Sequence, residues 1–516
     1  MSNYPPPPPA QQDYNANKTY SEQQAYPPPS QPYSSGPPSY SYNNQNYDPE
    51  ATTYGNYGQP PPQQMNMSGD HKVEPSTGFK DVWATVAWLL NMGAFIGLSV
   101  IGLRAYNANH SSYGGVPSQS PSTGITFDTT AFIILGLAVV IGFGLSVLYF
   151  LFANKFPRIL IKVTFALSIL LYFAVTFYYF AVHYYSAAIV FLIFSVIYAF
   201  MWFAWKNRIP FATIMLETVT SITSRYPSTI AVGLITLLVQ TAYSIWFSLV
   251  VIGVYEAYYS ASGGNGALTG IMVFLVFSFY WTSQVISYVC HVTISGIFAS
   301  VYFLGDSVGS PAMGSARRAL TTSFGSICFG GLLMAFMNLI RVMISISRAE
   351  TNNALCSIFL CFVQCIVNCI QGMMEWFNYY AFSGVAIYGR GFVESAKRTW
   401  TLIKDRGVEA LINDNLINNV LFMGGLLVGV MTSLFGFIYL AVAQPAFNAY
   451  GQVTPVVVMM CFIIGLSMFS SIATVISSGV ATTFVCLAED PDALRRTKPE
   501  LYEQIRQTWP RVVQSI

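Results

Sequence analysis

Apolar residues in this chain come in runs of about 20 or more, separated by short polar joints. Runs of that length match helices that cross roughly 30 Å of hydrocarbon. From Trp83 onward the pattern predicts spans near 83–103, 130–152, 159–182, 186–205, 228–256, 268–304, 321–346, 355–388, 415–442 and 454–486. The run at 268–304 is too long for one straight crossing. It is expected to tilt strongly, to break near Gly296, or to continue outside the membrane. Segments 209–224 and 391–412 mix charged and apolar positions and read as interfacial helices joining two spans, with a gate or lid as the sharper alternative.

Residues 1–79 have the opposite character. They are rich in Pro, Tyr, Gln, Asn and Ser, and Pro5 to Pro9 is an unbroken run. Such a segment buries too little apolar surface to offset its ordering entropy, so disorder is predicted. No basic stretch followed by an apolar one opens the chain, so it does not read as a cleaved signal peptide. The fold class is therefore all-α: a polytopic membrane helical bundle of about ten transmembrane helices. It is divided as a 1–79 tail, an 80–488 membrane domain and a 489–516 cytoplasmic tail.

Composition agrees with this class. The 516 residues are 53% hydrophobic and only 9% charged, where a soluble domain carries roughly 25% charged residues. A formal net charge of +2 gives no nucleic-acid signature. With the N-terminus placed in the cytoplasm, all but three of the 24 basic residues fall in inside segments; Arg104, Arg341 and Arg348 are the exceptions. That bias puts both termini inside and supports an even number of spans. The eight cysteines lie in apolar runs or at their ends and suggest no disulfide framework. Cys361, Cys365 and Cys369, one helical turn apart, read as small packing residues rather than metal ligands.

The chain has no P-loop, and none of His71, His110, His183 and His291 has a carboxylate placed to form an obvious metal or catalytic motif. An enzyme is disfavoured and no cofactor is expected. What remains are polar groups inside apolar spans, which are costly in hydrocarbon and usually face a cavity or a partner helix. Gln364, Asn368, Gln371, Glu375 and Asn378 follow steps of four and three and form one stripe on one helical face. Tyr280, Gln284, Ser287, His291 and Ser295 form a second. Two such stripes suggest a hydrated path for a solute; helix–helix hydrogen bonding is the alternative. Trp246, Tyr280, Trp281, Trp376, Tyr379 and Tyr380 are available as cation–π faces, or as ordinary packing. Gly325, Gly330 and Gly331, and Gly424, Gly425 and Gly429, point to close helix packing, with helix bending during alternating access as the alternative. Asn109-His-Ser111 is an N-glycosylation pattern in a loop expected outside, and Pro37-Pro38-Ser39-Tyr40 fits the motif gripped by WW domains, such as those of ubiquitin ligases.

Four stretches carry a resemblance to a known family: Ser323-Phe-Gly-Ser-Ile-Cys-Phe-Gly330, Glu375-Trp-Phe-Asn-Tyr-Tyr380, Ile412-Asn-Asp-Asn-Leu-Ile-Asn418 and Cys486-Leu-Ala-Glu-Asp-Pro491. With the span order they resemble the choline transporter-like family over roughly residues 80 to 516, most closely its fungal branch. The resemblance implies a ten-helix solute carrier with both termini in the cytoplasm, acting at the plasma membrane. Animal members are associated with choline and ethanolamine, but here the first exterior loop is short, about residues 104–129, and lacks cysteine. Two functions are therefore carried forward. One is a transporter or facilitator for a small solute, such as an organic cation, with the lipid bilayer as its solvent. The other is a membrane scaffold acting through its Pro- and Tyr-rich tail.

Overall fold

The apolar runs fold as long helices, and shorter helices fill the joints at one end of the bundle. The structure, a computed structural model, describes residues 78–111, 129–206, 209–258, 266–305, 309–350, 354–406, 409–445 and 454–508. Residues 1–77 of the predicted disordered tail, the Pro37–Tyr40 motif among them, lie outside the described residues. In chain order the helices are α1 (Val82–Ser111), α2 (Thr129–Lys155), α3 (Pro157–Ala181), α4 (Tyr185–Trp205), α5 (Ile209–Arg225), α6 (Ser228–Tyr258), α7 (Gly266–Leu304) and α8 (Pro311–Leu320). They continue as α9 (Phe324–Glu350), α10 (Ala354–Tyr388), α11 (Phe392–Arg406), α12 (Glu409–Ala443), α13 (Thr454–Glu489), α14 (Pro491–Thr497) and α15 (Pro499–Thr508). Among the described residues every regular element is helical.

Nine of the described helices are long and apolar enough to cross a membrane, and α4 adds a shorter apolar stretch, Ala188–Phe203. Pairing shows that α4 also returns the chain. Tyr179, late in α3, stacks on Phe191, early in α4, with ring centroids 5.2 Å apart. Phe165, early in α3, meets Trp202, late in α4, also at 5.2 Å. The two helices are antiparallel over their shared length, so the chain folds as a polytopic helical bundle.

The starts of α1, α9 and α11 meet at one end. The Asp81 carboxylate accepts a hydrogen bond from Ser326 Oγ at 2.7 Å and from the Phe392 backbone N–H at 2.8 Å. Asp81 thereby caps a helix more than 300 residues away, satisfying an N–H that α11 leaves unbonded. At this same end Tyr388, the last residue of α10, donates to Glu489, the last residue of α13, at 2.6 Å. The first and last long helices thus begin and end on one face. Lys155, Arg158, Arg225, Arg317, Arg390 and Arg398 sit at helix ends or on short helices of that face; it is called the basic end below.

The largest core cluster lies in the basic half. It joins the ends of α2, α7, α10 and α13 to the starts of α3 and α12, together with α5, α14 and α15. Two expectations change here. The 209–224 segment does not lie on the surface: Phe211, Met215, Leu216, Val219 and Ile222 of α5 are buried in this cluster. Helix α7 runs unbroken through Gly296, and the excess length is absorbed because every residue from Cys290 to Phe303 is buried. At Gly296 the missing side chain admits Ser315 of α8, so that glycine serves approach rather than bending.

Lipid-facing helices gain little by hiding apolar surface from lipid, so close packing and interhelical hydrogen bonds hold such a bundle. Both are present. Gly102 of α1 and Gly253 of α6 touch backbone to backbone, where a Cβ on either would collide. Asn91 Nδ2 donates to Ser278 Oγ at 3.0 Å, Trp246 Nε1 to Ser99 Oγ at 2.8 Å, and Tyr149 OH to the Val420 carbonyl at 2.8 Å. Bonds of this type average about 0.6 kcal/mol in membrane proteins, so the bundle rests on many of them. The expected close packing at Gly330 and Gly424 takes the form of aromatic contacts: Phe382 on the first, Phe469 and Tyr149 on the second.

Candidate functional site

A cavity of about 520 Å³ opens between α10, α12 and α13. Each helix lines it with one face. Gly372, Glu375, Trp376 and Tyr379 come from α10, and Asn418, Leu421, Phe422 and Gly425 from α12. Both sets follow the i, i+3, i+4, i+7 spacing that puts side chains on one side of a helix. Helix α13 continues the pattern with Leu466, Phe469, Ser470, Ala473, Thr474 and Ser477. Glu375 sits near the middle of the apolar stretch Phe359–Tyr388, roughly 20 Å from the basic end at 1.5 Å per residue. The wall is chemically asymmetric: one carboxylate, the aromatic rings of Trp376, Tyr379, Phe422 and Phe469, several hydroxyls and an amide, and no basic side chain among the described residues.

Below the cavity, toward the basic end, a buried polar cluster fixes Tyr379. His291 of α7, 1% exposed, stacks on the Tyr379 ring with centroids 3.8 Å apart. Its Nε2 lies 2.8 Å from the Tyr379 carbonyl and its Nδ1 2.8 Å from Ser478 Oγ. A carbonyl only accepts, so Nε2 carries the proton and Nδ1 accepts from Ser478. Tyr379 OH, 3.0 Å from Ser478 Oγ, completes the ring of bonds by donating. A neutral imidazole satisfies every partner here. His291 therefore braces the cavity floor and does not face the cavity.

The two predicted stripes do not line one path. Gln371 Nε2 donates to Asn338 Oδ1 of α9 at 2.9 Å, and Gln364 Nε2 to Ser345 Oγ at 3.1 Å. These two join helices. Asn378 is buried within hydrogen-bonding reach of Tyr288, and Asn368 lies on an exposed part of α10. Of the first stripe only Glu375, with its neighbour Tyr379, reaches the cavity. Of the second, Tyr280 packs against the α1–α7–α9 cluster and Gln284 lies beside Gly331. Among the aromatics, Trp376 and Tyr379 line the cavity. Trp246 and Trp281 spend their indole N–H groups on Ser99 and the Cys328 carbonyl.

The α9–α10 pairs also set a register. They place Arg341 opposite Asn368, seven residues and about 10 Å along the axis from Glu375. An Arg341–Glu375 ion pair is therefore not formed, and among the described residues Glu375 has no ion-pair partner. No group of three metal-ligating side chains occurs among the described residues, Cys361, Cys365 and Cys369 included. Asn109 falls in the last turns of α1, where side chains are not described, rather than in a loop. Gly305-Asp-Ser-Val-Gly309 spells the G-x-S-x-G of serine hydrolases. It links two helices, whereas that motif works at a strand-to-helix turn.

Sequence reasoning missed the α12 and α13 walls and the basic-end ties. Helix α13 shows the missed signal plainly, with hydroxyls at 467, 470, 471, 474, 477 and 478 recurring on one face. At the basic end, Glu489 is 5% exposed and is held by Tyr388 and by Arg398 of α11, whose guanidinium lies 4.7 Å from the Tyr388 ring centre. The Glu489 carboxylate raises the Arg398 pKa above arginine's already high ordinary value. Asp490 caps α14 by accepting from the N–H groups of Asp492 and Ala493, with Pro491 at the first helical position.

The family model described as plasma-membrane choline transporter matches residues 189–492. The chain belongs to the choline transporter-like family. Protein PNS1 of Mycosarcoma maydis is 37% identical over 476 residues, covering 90% of this chain and 89% of its own. Protein PNS1 of Cryptococcus neoformans var. neoformans is 33% identical over 532 residues, covering 98% and 95%. Protein PNS1 of Gibberella zeae is 34% identical over 453 residues, covering 85% and 84%. The four stretches that carried the resemblance now have positions. Glu375–Tyr380 and the end of Ile412–Asn418 border the cavity, while Ser323–Gly330 and Cys486–Pro491 make the basic-end ties. As a multi-pass member of a transporter family, the chain is a membrane transport protein.

Proposed function

We propose that this transporter carries a small organic cation of the choline class across the plasma membrane through the cavity between α10, α12 and α13. The observation that carries this reading is Glu375: a carboxylate at mid-depth, facing a cavity with Trp376 and Tyr379, and lacking an ion-pair partner among the described residues. A carboxylate in that setting is costly unless a cation visits it. Coulomb attraction at about 5 Å and an effective dielectric of 20 supplies roughly 3 kcal/mol, and each aromatic face adds about 0.5–2 kcal/mol. The cavity volume of about 520 Å³ falls in the range of ligand pockets, roughly 300–1,000 Å³. Tyr379, Glu375 and Trp376 are the proposed contacts. Gln364, Gln371 and Asn378 fix α10 against its neighbours, and His291 positions Tyr379.

The basic end is the cytoplasmic face in this reading, because positively charged joints stay inside. The packed core then closes the inside half, and Asn109 stands on the outer side. The Pro37–Tyr40 segment is proposed to recruit a WW-domain ubiquitin ligase, a regulatory use of the tail that leaves transport to the helices. Uptake of choline, ethanolamine and related cations by purified protein in liposomes tests the substrate. Uptake of none of them, at normal incorporation, would remove the organic-cation reading.

A further inference from the structure

A second cavity, of about 220 Å³, lies between α6, α7 and α13 and shares Ser470 and Thr474 with the Glu375 cavity. Among the described residues no charged side chain lines it. Its polarity is nonetheless one-sided. Thr236 donates its hydroxyl proton to the Val232 carbonyl, and Ser467, Ser470, Ser471 and Thr474 donate theirs to the carbonyls four residues back. A hydroxyl has one proton and two lone pairs, so with the proton committed only lone pairs remain for the cavity. Gln240 adds to this: one Nε2–H donates to Ser283 Oγ at 2.8 Å, and its Oε1 is buried with no partner among the described residues. Ser287 and Cys290 complete the polar lining, so the wall offers more acceptors than donors. It repels an anion and suits a cation or a donor.

We propose that this second cavity binds a small monovalent inorganic cation that keeps part of its water. The volume sets the hydration state. About 220 Å³ holds roughly seven waters at about 30 Å³ each, too much room for a bare ion and enough for one with several waters. Oxygen groups outnumber the one thiol, Cys290, and an oxygen-rich wall suits hard cations; the absence of a carboxylate among the described lining residues suits a single charge. The counter-charge stands next door, Glu375, across the shared wall of Ser470 and Thr474. A partly hydrated ion is discriminated weakly by size, so Na⁺ and K⁺ bind alike.

The test uses the full chain in lipid nanodiscs and reads the thermal unfolding midpoint, so it does not depend on which organic solute is carried. NaCl and KCl are titrated against N-methyl-D-glucamine chloride at constant ionic strength. The expected result is a saturable rise in midpoint with Na⁺ and with K⁺, of similar size, and none with the bulky cation. Q240L and S287A, both outside the Glu375 cavity, should abolish or weaken the rise; S287A guards against Q240L failing to fold. An identical midpoint in all three salts would mean that water alone fills the cavity and would overturn the proposal. So would a full rise retained in both variants. A choline-dependent shift lost in E375Q while the alkali-ion rise survives, even weakened, separates the two sites. An alkali-ion rise without any choline effect would remove the organic-cation reading and leave this one standing.

Discussion

Arg398→Ala should destabilise the protein more than Glu489→Gln, although both break the same contact. In the folded chain the Glu489 carboxylate is 5% exposed and the Arg398 side chain 36% exposed. Removing the arginine strands a buried carboxylate whose remaining partner is the Tyr388 hydroxyl. Breaking a fully buried pair this way costs about 3–5 kcal/mol. Because Arg398 already reaches water, screening lowers the loss below that range, to about 2–3 kcal/mol. Removing the charge from Glu489 leaves Tyr388 an amide oxygen to bond, and Arg398 turns to solvent, so the loss is about 1–2 kcal/mol. The double variant R398A/E489Q has neither stranded charge and should melt no lower than R398A alone. Thermal unfolding of the four proteins in one detergent, followed by tryptophan fluorescence, gives the order. Equal losses, a larger loss in E489Q, or strict additivity in the double variant would refute the claim that this tie is a buried charge pair closing α10, α11 and α13 together.

Three further outcomes follow from the packing and the tail. Gly253→Val should lower surface abundance sharply, because its side chain meets the Gly102 backbone; normal abundance on a quantitative blot would mean the α1–α6 crossing relaxes at little cost. His291→Asn should lower the melting temperature, since it disturbs the bonds to Ser478 and the Tyr379 carbonyl, at about 1–3 kcal/mol per stranded group. Abolished uptake in that variant with an unchanged melting temperature would make His291 a direct ligand instead of a brace. Tyr40→Ala should lengthen the surface half-life measured by biotin pulse-chase, and an unchanged half-life would remove the ubiquitin-ligase reading.

Most of the fold was legible because span length is a property of local sequence. Runs of 20 apolar residues become helices whatever they pack against, and the basic joints assemble at one end. The cavity was harder to read because it depends on which helices become neighbours. Gln371 and Glu375 lie on one stripe, yet the first bonds α9 and the second faces α12 and α13. Periodicity identifies a face but not its partner. The α13 hydroxyls share one face in the sequence, but serine and threonine carry no charge that would mark the face as part of a site. Asp81, Arg398 and Glu489 needed tertiary information of another kind, since their partners lie tens to hundreds of residues away. Only Asp490-Pro491, an N-cap residue before a proline, announced its role locally.

The central claim is that Glu375 supplies the countercharge for a transported cation, and uptake by Glu375→Gln in liposomes tests it most directly. The amide keeps the size and hydrogen-bonding capacity of the side chain and removes its charge. No ion-pair partner among the described residues depends on it, so the variant should incorporate and melt like the parent protein. Losing about 3 kcal/mol of attraction corresponds to a fall in affinity for a choline-class cation of roughly 100-fold. Uptake at subsaturating concentration should drop accordingly. Parental uptake by a normally incorporated Glu375→Gln protein would contradict the account and reduce the carboxylate to a bystander in the bundle.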